Sequence, residues 1–405
     1  MDRVAESLRK KRVVFWEEVA RDGAQAKTIM SAKQRIDIAR MHGDMFNNNG
    51  PDHLVFAVGF VSIGKEEEEI IKEVADNVDN CYLAVNCRSS EKEIDLSYEV
   101  IKKAKFGRVA YILPASERLC RLMLHKTQKE TLKRGVELAK YALDKTQGLP
   151  VDIQLAGAFD ADPNFVADLA SAINAEGVAT VGMGDTRGRI YPKETARYID
   201  TVIEKSDNNV LFSVHFHDDM GFSLINNLAA LKRGIMMPST SWLGIAERNG
   251  LLRTELLTLH LAFETEKIYE KLEINGDNLF LSAPNLKSLK IIADKVSEYT
   301  GVHLKTTDPV VGTGVNSIST GTPFVDTKSF QPFDPEIVLG IPQKVHVTQL
   351  ASRNVIKLVS SQMGYNLTEE QITSILPKIK SEAYKRGRAI FPKNELTELF
   401  NSFNK

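Results

Sequence analysis

The chain has 405 residues, 43% of them hydrophobic and 26% charged, and its 52 Lys and Arg nearly balance 53 Asp and Glu, for a net charge of -1. That composition suits a soluble globular protein with a large core, and the lack of a basic excess argues against nucleic acid and membrane surfaces as partners. The longest apolar runs, such as LVFAVGFVSIG from Leu54, fall short of the roughly 18 residues needed to cross a bilayer, and MDRVAESLRKKR at the start lacks a signal peptide's apolar segment, so a cytoplasmic protein is expected.

From Arg12 to about Leu272, short β-rich runs alternate with helical patterns. The expected strands are RVVFWEEVA, HLVFAVGF, CYLAVNC, RVAYILPA, VDIQLAGA, VATVGMGD, VLFSVHFH and MMPSTSWLGI. Between the first two, SAKQRIDIARMHGDMF opens on an N-cap, Ser31; EKEIDLSYEVIKKA then carries apolar residues at helical spacing. Glu117 to Asp144 reads as one long helix, and NLAALKRG stops on Gly234 as a helix C-terminus does. Cys81, Cys87 and Cys120 form neither a C-x-x-C pair nor an even set and read as reduced, partly buried thiols. Eight strand-then-helix units predict an α/β fold, a (β/α)8 TIM barrel over residues 1–275, with its active site at the C-terminal ends of the strands. Residues 276–405 read as a mainly helical appendage behind a long Pro/Gly/Thr-rich connection, of the kind that serves as a lid or a partner-subunit contact. Its last long helix begins with a capping box, Thr368 and Gln371.

The chemistry concentrates at strand ends. Residues two apart on a strand face the same way, so His215 and His217 in FSVHFHDDMGF can aim into one pocket as two metal ligands. A third ligand should come from another strand. The first strand ends in RDGAQ, where Asp22 is the expected carboxylate beside Arg21 and Gln25.

Four segments together resemble a specific family. RDGAQ, GDTRGRIYP (Gly184 to Pro192) and HFHDDMGFSLINNLAALKRG resemble the first-, sixth- and seventh-strand motifs of the metal-dependent DRE-type barrel lyases and acyltransferases. These include isopropylmalate, citramalate and homocitrate synthases and hydroxymethylglutaryl-CoA lyase. GIAERNG (Gly244 to Gly250) is similar to the eighth-strand signature of the synthases. The resemblance implies a divalent ion (Mg2+, Mn2+ or Zn2+) on Asp22, His215 and His217 that binds a 2-oxo acid, with acetyl-CoA as co-substrate. It implies that Arg21 stabilises the developing alkoxide, that Gln25 and Thr186 position the substrate, and that the chain condenses the two substrates in the manner of a Claisen reaction. A homodimer is expected too, because a synthase-like appendage has too little core of its own.

The sequence also departs from that pattern. Ala57 stands where the synthases carry an acid, and Ala156, Gly157 and Asp160 replace an acid pair and an arginine after the fifth strand. STGTPFVDTKSF lacks the synthases' C-terminal histidine; His303, nearby, reads as a local structural residue. Glu247 and Arg248 occupy the loop where lyases keep a cysteine, while Asp218 leans toward the lyases. Arg88, Asp160, Arg187, Arg189 and Glu247 are the expected substrate contacts. Uncompensated arginines in a desolvated pocket are costly, so the pair Arg187 and Arg189 predicts an oxo acid with a second anionic group. A retro-Claisen or aldol lyase, or a ligand-binding barrel without turnover, are the alternatives.

Overall fold

The computed structural model describes residues 2–26, 28–263, 270, 279–320, 326–387, 389 and 391–402. All eight expected strands form: β1 (Phe15–Glu17), β2 (Leu54–Phe60), β3 (Tyr82–Arg88), β4 (Gly107–Pro114), β5 (Val151–Ala156), β6 (Thr180–Asp185), β7 (Phe212–Phe216) and β8 (Ser239–Thr240). They pair in parallel in the order β7-β6-β5-β4-β3-β2-β1-β8. A bridge between Val214 and Pro238 closes the ring, with Val214 N–H donating to the Met237 carbonyl at 3.0 Å. The strands are almost continuously buried because helices cover one face and the barrel interior the other. β8 is short because Pro238 has no N–H to offer and Leu243 turns the chain at φ 58.

Side chains fill the barrel in layers. Near the N-terminal ends of the strands, Arg108 on β4 makes two 2.8 Å bonds to Asp152 on β5 and a third to Asp2. Asp152 also accepts from Thr180 Oγ1 at 2.7 Å, so this buried charge is fully partnered. One layer up, Gln154 crosses toward Gly182, where an added Cβ would sit 1.8 Å from Gln154 Oε1; only glycine leaves that amide its place.

Ser31 and Gln34 build a reciprocal capping box on the helix Ala32–Met45, and the helix Ser223–Lys232 is followed by Gly234 at φ 81. The long helix read from Glu117 to Asp144 is corrected. It breaks after a wide turn at Cys120–Leu124, His125 adopts φ 55, and Thr127 starts a new helix, Gln128–Lys145, through a capping box with Glu130. Apolar periodicity ran across that break, but the Thr-x-x-Glu box marked it. The three cysteines are buried and free. Among the described residues no helix is long and apolar enough to cross a membrane.

The chain forms two compact units, Met1–His303 and Leu304–Lys405. The divide expected at 275/276 lies outside the described residues. Helix Ser288–Thr300, read as part of the appendage, belongs to the first unit: it buries Leu289, Ile292 and Val296, and Tyr299 donates to Asp37 at 2.5 Å. The second unit contains helices Arg353–Gln362, Glu369–Arg386 and Lys393–Asn401 around Val355, Ile356, Val359, Ile372, Ile375, Ile379 and Phe400. It therefore has an apolar core of its own, against the expectation of too little. The segment read as lacking the synthases' histidine falls partly at 321–325, outside the described residues.

Candidate active site

A cavity opens at the C-terminal ends of the strands, where a TIM barrel keeps its chemistry. Its lining includes Arg21, Asp22, Gln25, Thr186, His215, His217 and Glu247, together with Asn86, Ile112, Gln154, Leu155 and Ala156.

Asp22 sits in the turn after β1, its N–H on the Glu18 carbonyl, and its Oδ1 accepts the Glu247 N–H at 2.9 Å. His215 lies on β7 and His217 just past it. Their Nε2 atoms approach to 3.3 Å, and Asp22 Oδ2 is 3.5 Å from His215 Nε2. One ligand atom from each of the three residues fits within a 4.8 Å cluster. Burial would raise the Asp22 carboxyl, but Arg21 and His215 outweigh it and hold the group well below the usual range. Burial, then the His215 charge, pushes His217 down to about 3, so its ring is neutral and free to ligate. His217 Nδ1 is buried without a partner. Metal–ligand bonds of about 2 Å at tetrahedral to octahedral angles place donor atoms roughly 2.8 to 3.3 Å apart, so the residues fit a divalent ion after small side-chain adjustments.

Arg21 is buried against Glu18, with bonds of 2.7 and 2.5 Å, and lies 3.4 Å from Asp22. Glu18 also stands 3.6 Å from His215 Nδ1. This carboxylate was not anticipated, although an acid pair in the apolar run FWEEVA is a signal that a buried partner waits. Thr186 Oγ1 accepts the Gly157 N–H at 2.8 Å. Over the rim, Arg248 at φ 55 holds both Asp219 oxygens at 2.9 Å and the Thr186 carbonyl at 2.7 Å. One guanidinium thus ties together the loops after β6, β7 and β8.

Four expected substrate contacts lie elsewhere. Arg187 binds Asp160 through Nε at 2.9 Å and Nη2 at 2.5 Å, and Arg189 reaches the same carboxylate at 3.3 Å. Their side chains are 49% and 61% exposed, and Arg88, 63% exposed, is paired with Glu93. None of them, nor Asp160, is among the cavity's lining residues. The premise of two uncompensated arginines in a desolvated pocket is therefore corrected: Asp160 compensates them and water reaches them. Glu247 does line the cavity. Asn86 and Gln154 were missed, because an amide inside an apolar strand carries no motif.

Fold and site together define a TIM barrel with a carboxylate and two histidines grouped closely enough that they could hold a metal at its C-terminal rim. The chain belongs to the HMGL-like family, whose model matches residues 12–277. The resemblance read from the four motifs is thereby confirmed. The chain is 26% identical to 2-isopropylmalate synthase 1 of Caldanaerobacter subterraneus subsp. tengcongensis, over 97% of this chain and 98% of the relative. It is 25% identical to 2-isopropylmalate synthase of Bacillus pumilus, over 93% of this chain and 71% of that one. In fold it resembles the crystal structure of HMG-CoA lyase from Bacillus subtilis, with a TM-score of 0.55 and 18% identity over 72% of this chain and 94% of the other.

Proposed function

We propose that the chain is an acyltransferase that condenses an acyl-CoA, acetyl-CoA in the first instance, with a 2-oxo acid, assisted by a divalent metal ion. The observation that carries this reading is the Asp22, His215 and His217 group beside Arg21 in a cavity at the strand ends, in a chain that matches 2-isopropylmalate synthases along nearly its whole length. An ion on those three residues would supply Lewis-acid polarisation of the oxo group. Arg21, held by Glu18, presents fixed positive charge where the former oxo oxygen gains negative charge. Gln25 and Thr186 border the same space and orient the oxo acid. The Glu247 N–H fixes the direction of Asp22, and Arg248 fixes the backbone of Thr186. Asp218, the residue that leans toward the lyases, accepts the Ser223 N–H at the start of the helix Ser223–Lys232 at 2.9 Å.

The test is release of free thiol from acetyl-CoA across a panel of 2-oxo acids with Mg2+, Mn2+ or Zn2+. Release that depends on both oxo acid and metal is expected. Cleavage of a hydroxyacyl-CoA without any condensation would transfer the site to a lyase, and ligand binding without either reaction would leave a barrel that has lost turnover. A homodimer in the cytoplasm completes the proposal, resting now on the resemblance to the synthases since the appendage has its own core, and light scattering at micromolar concentration checks its assembly: an active monomer would refute it.

A further inference from the structure

Two of the cavity's lining residues carry amide atoms that the barrel itself does not use. Asn86 on β3 is fully buried, lines the cavity, and neither its Oδ1 nor its Nδ2 has a hydrogen-bond partner. Gln154 on β5 lines it as well, and its buried Nε2 has no partner. A buried amide left unpaired costs free energy, and the fold provides room for this one through Gly182. Ile112, Leu155 and Ala156 surround the pair with apolar surface. Together the two unpartnered NH2 groups offer up to four N–H donors, and the Asn86 oxygen offers an acceptor.

We infer that Asn86 and Gln154 determine the specificity of the pocket, which takes a 2-oxo acid whose side chain ends in an uncharged group that both donates and accepts a hydrogen bond, a hydroxyl or a carboxamide. This rests on the reading above for the 2-oxo acid itself. An alkyl end would leave all three amide atoms unsatisfied. A carboxylate end could accept from both N–H groups but would face the Asn86 oxygen with a charge. A hydroxyl or carboxamide satisfies all three, and it also repeats the bonds of any water it displaces.

Calorimetric binding of oxaloacetate, 2-oxosuccinamate and 2-oxoisovalerate to the full chain with Mn2+ tests the inference. The first two differ only in the end group, and 2-oxoisovalerate replaces that group with two methyls on C3. The wild type should bind 2-oxosuccinamate about tenfold more tightly than the other two, as expected for the one or more hydrogen bonds it adds over each. Asn86→Leu and Gln154→Met should each reduce that preference to near unity. Asn86→Leu should also raise the melting temperature of the ligand-free protein, since it removes an orphaned amide. Tighter binding of 2-oxoisovalerate or oxaloacetate by the wild type, no binding of any of the three, or an unchanged preference in both variants overturns the inference. If Asn86→Leu fails to fold, Gln154→Met and the wild-type order decide. Thiol release is scored separately. The binding preference without turnover defeats the condensation and leaves the pocket inference standing, whereas faster turnover of 2-oxoisovalerate than of 2-oxosuccinamate does the reverse.

Discussion

Replacing Glu18 with alanine probes the least visible support of the site. Arg21 is 7% exposed and Glu18 1%, and the two share bonds of 2.7 and 2.5 Å. Burial alone would lower the Arg21 pKa, but the Glu18 and Asp22 charges outweigh it and raise it. Without Glu18 the guanidinium's remaining ion-pair partner among the described residues is Asp22, at 3.4 Å. Breaking a buried pair from one side costs about 3–5 kcal/mol, because the other charge is stranded away from water. Urea unfolding of Glu18→Ala in the presence of a chelator should show a loss of that size. Since the cost is the stranded charge, the double variant Glu18→Ala/Arg21→Met should recover part of it. In the single variant Arg21 also competes for Asp22, so metal affinity measured by titration should fall. A loss below about 1 kcal/mol, or a double variant less stable than the single one, would show that Arg21 does not depend on Glu18.

Other substitutions separate the remaining roles. His215→Ala or His217→Ala should abolish metal retention by elemental analysis with little change in the fold, and full occupancy in either variant removes the proposed ligand group. Glu17 is pushed up to about 8 by burial, despite bonds from Thr254, Trp242 and Val19, so the folded state holds a proton that the unfolded chain releases above about 4.5. The stability it contributes is present at low pH and lost as pH rises toward 8. His42, pushed down to about 3 by burial, acts in the opposite sense below its ordinary 6.5, so the clean window is pH 6.5 to 8. Over that window the wild type should lose up to about 2 kcal/mol, and Glu17→Gln should flatten the curve; parallel curves would refute the assignment. Arg187→Ala should cost less than about 1 kcal/mol and leave oxo-acid binding intact, since its partner is the half-open Asp160 pair; a large loss of affinity would restore it to the substrate site.

Much of this protein is legible in one dimension. Apolar runs separated by amphipathic segments specify eight strands, and parallel strands joined by helices can close only as a barrel of this hand. The capping boxes at Ser31 and Thr368 are local events that need no tertiary information. His215 and His217 share a face by strand geometry alone, and Asp22 followed from the need for a third ligand at another strand end. The break at His125 was hidden because helical periodicity continued through it.

Tertiary structure decided what cannot be read along the chain: which charges meet. Asp160 lies 27 residues before Arg187 in sequence yet neutralises it, turning an apparent anion site into a rim ion pair. Glu18 became part of the site only because the turn after β1 folds Arg21 back onto it. Asn86 and Gln154 look like any polar residue in a strand until the barrel closes and leaves their amides facing a cavity without partners. Periodicity sets which way a side chain points, since that depends on its own backbone. What it meets there depends on distant segments, and the pocket's chemistry is a property of that meeting.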